Sequence, residues 1–398
     1  MNLKRAVCRA RGHGTRHART DGAGPATVAH EEWETVKLRL IDPAFFSVRR
    51  DGTYLASPRI KGRLRVHPAV VGVLTTAVDG IDVQALAADS AAVAQAVEKL
   101  RELGYLVPAD DTGNDELPGP WREWGALAWQ FHQSIRDTPF VRPESEGIDE
   151  YYEALHHRTR PANSKATRDD EEVLLLPRVR ARMPASFQDV LEGRRTHRDF
   201  SGDATPLDAF ATLLHYGFGP LRFIDAGSVG VLQLRANASG GSRHETEAYV
   251  VVLNVRGVDP GIYRYDGIRH GLVPVREAVP RETMEHLTFD QGFFEAAGFG
   301  VFTTAFATRM SWKYRNPRAY KVLLHNVGHM AQVFSMTAAA LGLGAAITGA
   351  FRDTEVEALL GLPGPDEFPT FAMACGTPVR GDDDLPARYR FPTAPFPV

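Results

Sequence analysis

The chain has 398 residues, 43% of them hydrophobic and 24% charged, with a net charge of −3. These are ordinary values for a soluble globular protein large enough for two cores, and they exclude a global field that would gather nucleic acid or an anionic membrane. Only two cysteines are present, Cys8 and Cys375, so neither a disulfide framework nor a cysteine metal site is available, and a reducing cytoplasm is the expected location.

Residues 1–30 carry Lys4, Arg5, Arg9, Arg11, Arg16 and Arg19 without periodicity and read as a disordered basic tail. No apolar run is long enough for a signal peptide or a membrane span. Residues 31–108 read as a small domain. Strands are expected at 36–41 and 63–66, with Asp51-Gly52 turning a hairpin between 46–48 and 53–55. Helices are expected at 68–78 and 90–103. The second puts Val93, Ala96, Val97, Leu100 and Leu103 on one face, Gly104 ends it, and 105–107 returns as a strand. This order is winged-helix-like. The second helix lacks a basic cluster, which speaks against DNA reading and leaves a peptide-binding sheet edge or a packing module.

A Pro/Gly-rich polar linker follows at 109–120, then a helical pattern at 121–135 and a charged, irregular excursion at 141–172. From 184 the pattern is α+β. Thr205, Pro206 and Asp208 read as N-cap, first position and third position of a helix that Gly217 closes. Apolar runs at 249–255 and 300–306 read as buried strands. Asn316 and Pro317 cap the longest helix, with apolar positions at Tyr320, Leu323, Leu324, Val327, Ala331, Phe334, Ala338 and Leu341. It is expected to be central and buried.

Several constellations carry chemistry. In Arg194-Arg195-Thr196-His197-Arg198 two guanidiniums and a hydroxyl alternate, a pattern suited to a phosphate. Ser239-Gly240-Gly241 lets backbone approach a flat ring closely. His325 and His329 share a helix face, but no Glu or other ligand stands beside them, so no metal is expected. Gly342-Leu343-Gly344 follows a helix rather than a strand, which argues against a dinucleotide turn.

Taken in order, these segments resemble the FMN-dependent azoline dehydrogenases, the SagB/ThcOx branch of the nitroreductase superfamily. The segments that carry the likeness are Arg194 to Arg198 running on to Phe200, Ser239-Gly240-Gly241 with His244, and 260–266 (Pro-Gly-Ile-Tyr-Arg-Tyr-Asp). Gly328-His329 with Gln332, and Lys313-Tyr314 followed by Arg318-Ala319-Tyr320-Lys321, complete it. Ala238 stands where relatives have proline, and Asn326 where they often have an acid. The resemblance covers about 120–398. It implies an α+β, nitroreductase-like FMN-binding fold over 121–398, a central antiparallel sheet flanked by helices, with the winged-helix-like domain before it. It assigns the cofactor to Arg194, Thr196, Arg198, Ser239, Gly240, Gly241, His244, Gln332, Thr348, Gly349 and the C-terminal Arg388 and Arg390. It makes Lys313 and Tyr314 catalytic. The implied reaction oxidises thiazolines or oxazolines in a ribosomally made peptide, with hydride passing to flavin N5 and dioxygen reoxidising the flavin. A homodimer and a cyclodehydratase partner are implied as well, with no nucleic acid and no membrane. Two other readings stand beside it: a nicotinamide-dependent reductase of nitro, quinone or dehydroamino-acid groups, and a flavin-free scaffold that presents a peptide.

Overall fold

The computed structural model describes residues 37–77, 80–82, 91–111, 116–139, 148–227 and 230–379. The basic tail, Cys8, Arg388 and Arg390 lie outside them. The chain divides into two compact units, Met1–Thr138 and Pro139–Val398.

In the first unit β1 (Lys37–Leu40) is the middle of a three-stranded antiparallel sheet, between β5 (Ile81–Asp82) and β6 (Leu106–Pro108). The hairpin predicted around Asp51-Gly52 is present as β2 (Phe45–Arg49) and β3 (Gly52–Ala56), and β4 (Arg63–Val66) extends it. Helices α1 (Pro68–Thr76) and α2 (Ala91–Glu102) add Leu74, Val97 and Leu100 to a core with Leu38, Leu55, Tyr105 and Leu106. Leu103 does not join it. The helix stops at Glu102, Gly104 turns the chain at φ 79°, and Leu103 faces solvent. The helical pattern at 121–135 is broken at Gly125 (φ 87°) into α3 (Trp121–Trp124) and α4 (Ala126–Ser134). Both belong to the first unit, so the compact division falls after them rather than at the 109–120 linker.

The second unit is built on a seven-stranded antiparallel sheet in the order β14-β15-β13-β10-β11-β12-β7. Its strands are β7 (Leu174–Leu175), β10 (Thr246–Val252), β11 (Gly261–Asp266), β12 (Gly271–Glu277), β13 (Phe299–Phe306), β14 (Gly344–Thr348) and β15 (Glu367–Gly376). A two-stranded ribbon, β8 (Arg222–Asp225) with β9 (Val231–Leu234), stands apart. The helices are α5 (Ile148–His156), α6 (Phe187–Gly193), α7 (Leu207–Phe218), α8 (Arg281–Leu287), α9 (Ala307–Lys313), α10 (Arg318–Ala340) and α11 (Asp353–Leu360).

Of the expected strand at 249–255, β10 takes in 249–252, apolar because the strand is buried on both faces, and it starts earlier, at Thr246. Alternate residues serve different cores. Ala248, Val250 and Val252 pack with Phe210 of α7 and Phe334 of α10, while Tyr249 and Val251 pack with Met284 of α8 and Val356 of α11.

Three sequence expectations change here. The helix at 205–217 begins at Leu207 with Pro206 at its cap. Thr205 instead bridges Val255, and its buried hydroxyl makes no hydrogen bond. Gly217 lies inside α7 rather than ending it. A Cβ there would make ordinary van der Waals contact, 3.6 Å, with the Phe334 ring of α10. The excursion at 141–172 contains α5 in its described part. The long helix α10 is central only toward its end. Tyr320, Leu324, His325, Gly328, His329 and Gln332 are exposed, while Leu323, Val327, Phe334 and Ala338 are buried. Among the described residues no helix is long and apolar enough to cross a membrane.

Candidate active site

Helix α6 opens on a capping box in which Ser186 and Asp189 satisfy each other's backbone N–H groups, and it delivers Arg194 at its C-terminal end. The chain then runs along the outer edge of β14. Thr196 bridges Ala345 in parallel, and the His197 N–H donates to the Ala345 carbonyl at 3.0 Å. A Cβ on Gly344 would lie 2.7 Å from that of His197, so the glycine permits this close approach. Phe200, 6% exposed, anchors the far end. Arg194 and Arg198 are half-buried and Thr196 is exposed, so the predicted phosphate trio is reachable from solvent.

The second group is the turn after β9. Gly241 (φ 62°), Ser242 (φ 53°) and His244 (φ 44°) all adopt left-handed backbone. For the two non-glycine residues this costs about 1 kcal/mol or more each, so surrounding contacts must hold it. They do. The Ser239 hydroxyl accepts from the His244 N–H at 3.0 Å, and the Ser242 hydroxyl donates to the Gln233 carbonyl at 2.6 Å. The His244 ring meets the same carbonyl at 2.8 Å, and burial and nearby Arg235 push its pKa down to about 3. Asn326 accepts from the Gly240 N–H at 3.1 Å and donates to Glu245 at 2.9 Å. An ionised acid at 326 could not make the second bond. With Ala238 in place of proline, side-chain hydrogen bonds supply the rigidity of the turn.

Lys313 and Tyr314 end α9 directly against this turn. A Cβ added to Gly241 would stand 2.5 Å from the Tyr314 hydroxyl and 3.2 Å from Lys313 Nζ, and one on Gly240 would meet Val322 at 2.9 Å. The bare turn is therefore what leaves room for the amine and the phenol. Lys313 is half-buried, and burial first and Arg243 second push its pKa below the ordinary lysine range.

Sequence reasoning missed three residues that frame this pair. Arg243 is 1% exposed; its Nε donates to the Gly241 carbonyl at 3.1 Å, and its guanidinium stands 5.0 Å from the centre of the Trp312 ring. Tyr151 of α5 donates to the Lys313 carbonyl at 2.7 Å, and Arg158 donates to that of Trp312 at 2.9 Å. The signal for α5 was the amphipathic run 148–156, hidden inside a charged stretch. Below the turn lies a buried polar network. Arg309 donates to the His244 carbonyl at 3.0 Å and pairs with Glu247, while Lys165 binds Tyr249 at 2.8 Å and Glu367 at 3.0 Å.

The remaining predicted residues are spread more widely. Gln332 lies on the exposed face of α10. Thr348 ends β14, and its hydroxyl accepts from the Ala350 N–H at 3.0 Å, with Gly349 exposed beside it. Helix α10 is the common support, because it contacts both α6, which leads to Arg194, and the turn at Gly240–Ser242. The residues present fit FMN. A cationic and hydroxyl donor set suits the phosphate, and the turn's side-chain-free glycines set the Lys313 amine and the Tyr314 hydroxyl close to backbone that a flat ring could lie along.

Residues 191–377 match the Nitroreductase family model, and the second unit has a nitroreductase-like fold. The chain is 27% identical over 190 residues to MJ1384 of Methanocaldococcus jannaschii, provisionally named a nitroreductase, covering 48% of this chain and 90% of that one. It is 28% identical to the trifolitoxin-processing protein TfxB of Rhizobium leguminosarum bv. trifolii over 42% of this chain and 45% of that one. It is 25% identical to the trifolitoxin operon protein TfxC of the same organism over 73% of this chain and 83% of that one.

Proposed function

We propose that this chain is an FMN-dependent oxidoreductase of peptide maturation that oxidises azolines to azoles. The observation that carries the reading is the packing of the Lys313 amine and the Tyr314 hydroxyl against the side-chain-free turn at Gly240-Gly241. Likeness to trifolitoxin-processing TfxB supports a peptide substrate.

Arg194, Thr196 and Arg198 would hold the phosphate, and the Ser239–His244 turn with Thr348 and Gly349 would line the ring. FMN, when bound, supplies a two-electron acceptor for the hydride, and dioxygen restores it. The residues do the rest. An azoline becomes an azole by losing a proton from one ring carbon and a hydride from its neighbour. Lys313, half-buried and with its pKa lowered, is suited to take the proton. Tyr314, whose hydroxyl lies against the same turn, is suited to relay it. Tyr151 and Arg158 hold the backbone that carries the amine. A second copy of the chain would complete the cofactor site, a cyclodehydratase would supply the azoline, and the first unit would bind the leader of the peptide.

The test is direct. Purified protein should show a flavin spectrum and release FMN on heating. In air it should remove two hydrogens from a thiazoline or oxazoline peptide, read by mass spectrometry. Rapid bleaching of the flavin by NAD(P)H without action on the peptide would replace this reading with a reductase. A colourless protein that takes up no FMN would leave the scaffold.

A further inference from the structure

We propose that Arg243 is a positioning residue whose fixed positive charge weakens the hold of the Lys313 amine on its proton. This rests on the assignment of Lys313 as base and adds a residue that the assignment does not contain. Arg243 cannot move away from Lys313. Its Nε is tied to the Gly241 carbonyl at 3.1 Å, its guanidinium stacks on Trp312, the residue before Lys313, and it is 1% exposed. A guanidinium held over an indole is a stable placement for a buried cation. One of its nitrogens, Nη2, is buried without a hydrogen-bond partner, so its charge is not fully neutralised locally.

The groups around Lys313 come from four elements. Arg243 approaches it from the turn, where its Nε holds the Gly241 carbonyl and a Cβ on Gly241 would stand 3.2 Å from Lys313 Nζ, and Tyr314 lies beside it with its ring centre 5.5 Å from Nζ. Tyr151 of α5 holds its carbonyl. Arg158 holds the Trp312 carbonyl, and Arg160 stands 5.9 Å from the Trp312 ring. The acid of this cluster, Glu245, faces Arg243 and binds Asn326. Burial raises the Glu245 pKa, which weakens it as a counter-charge. Arg243, though burial lowers its pKa to about 10, stays charged at neutral pH, and a fixed like charge disfavours the protonated amine.

The sign follows. Removing the charge of Arg243 raises the pH at which Lys313 loses its proton, and keeping it leaves that pH in place. The experiment is competitive acetylation of the flavin-loaded protein across a pH series, with the extent at Lys313 read by mass spectrometry. In the wild type the midpoint for Lys313 should lie below the ordinary lysine range. Arg243→Gln and Arg243→Met should each move it up by about one pH unit. Arg243→Lys should move it less, and the rising limb of turnover should follow the same order. An unchanged midpoint in folded Gln or Met variants overturns the proposal. So does a wild-type midpoint within the ordinary lysine range, which needs no variant. If Lys313→Ala turns over normally, the base assignment fails, while the labelling midpoints still decide whether Arg243 sets the amine's charge.

Discussion

The turn at 239–244 is half-buried, with Arg243 and His244 fully covered, bent through left-handed backbone and tied by hydrogen bonds to β9 and α10, whereas 194–200 lies along the edge of β14 with Arg195 and Thr196 exposed. Both are candidate cofactor-binding segments, yet they are built by opposite means. A group that must exchange a proton works best away from water, where its pKa is shifted, and fixing it there takes strain and a supporting network. A phosphate is already solvated and doubly charged. Cations and a hydroxyl on a covered sheet edge suffice to hold it. Substitutions should therefore act steeply in the first region and gently in the second.

The largest effect should come from Lys313. Lys313→Ala should retain bound flavin and a normal melting temperature but reduce turnover of an azoline peptide by about 10²–10⁴-fold, the usual contribution of a general base. Unchanged turnover would place the base elsewhere. Next is the support beneath the turn. Arg309 and Glu247 are both nearly buried, and Arg309 also holds the His244 carbonyl. Arg309→Met leaves the buried Glu247 carboxylate without its guanidinium, held, among the described residues, only by the Lys165 N–H, and should cost about 3 kcal/mol in denaturant unfolding. A loss below about 1 kcal/mol would show that the network is not what fixes the turn.

Gly241→Ala sharpens the contrast within the site itself. The alanine would need φ near 62° and would place its Cβ 2.5 Å from the Tyr314 hydroxyl. Strain of about 1–3 kcal/mol is expected, with displacement of Tyr314 and loss of turnover. The same change at Gly328, which has open space around it, should alter stability by less than about 1 kcal/mol.

What the sequence made legible follows the same division. Strands β10 and β13 of the second unit and its long helix were readable because burial on two faces gives apolar runs and helix packing gives a 3.6-residue period, whereas β7, β8, β9, β12 and β14 were not read. The glycine turn and the Lys313-Tyr314 pair stood out as local motifs. Arg243, Tyr151 and Arg158 did not, because a buried arginine and a solvent-facing one are the same letter, and what buries Arg243 is Trp312, 69 positions away in the chain. The capping signal at Thr205 failed for a related reason. Its partner Val255 arrives from the segment after β10, 50 positions along the chain, and that bridge displaces the local N-cap. Local chemistry was visible in the letters, and long-range support was not.

The gentlest prediction concerns Thr196. Its backbone bridges Ala345, so the segment keeps its course whatever the side chain, and the side chain itself is exposed. Only the hydroxyl would matter to a phosphate. Thr196→Ser should leave FMN affinity within about twofold, because it preserves the hydroxyl. Thr196→Ala removes one hydrogen bond to a charged group and should weaken FMN about tenfold, near 1.4 kcal/mol, with no change in the pH at which Lys313 titrates. Fluorescence titration of flavin-free protein measures the first and acetylation at Lys313 the second. A Thr196→Ala protein that binds FMN normally would remove this hydroxyl from the phosphate site. One that also shifts the Lys313 midpoint would show that the two regions are coupled rather than separately built.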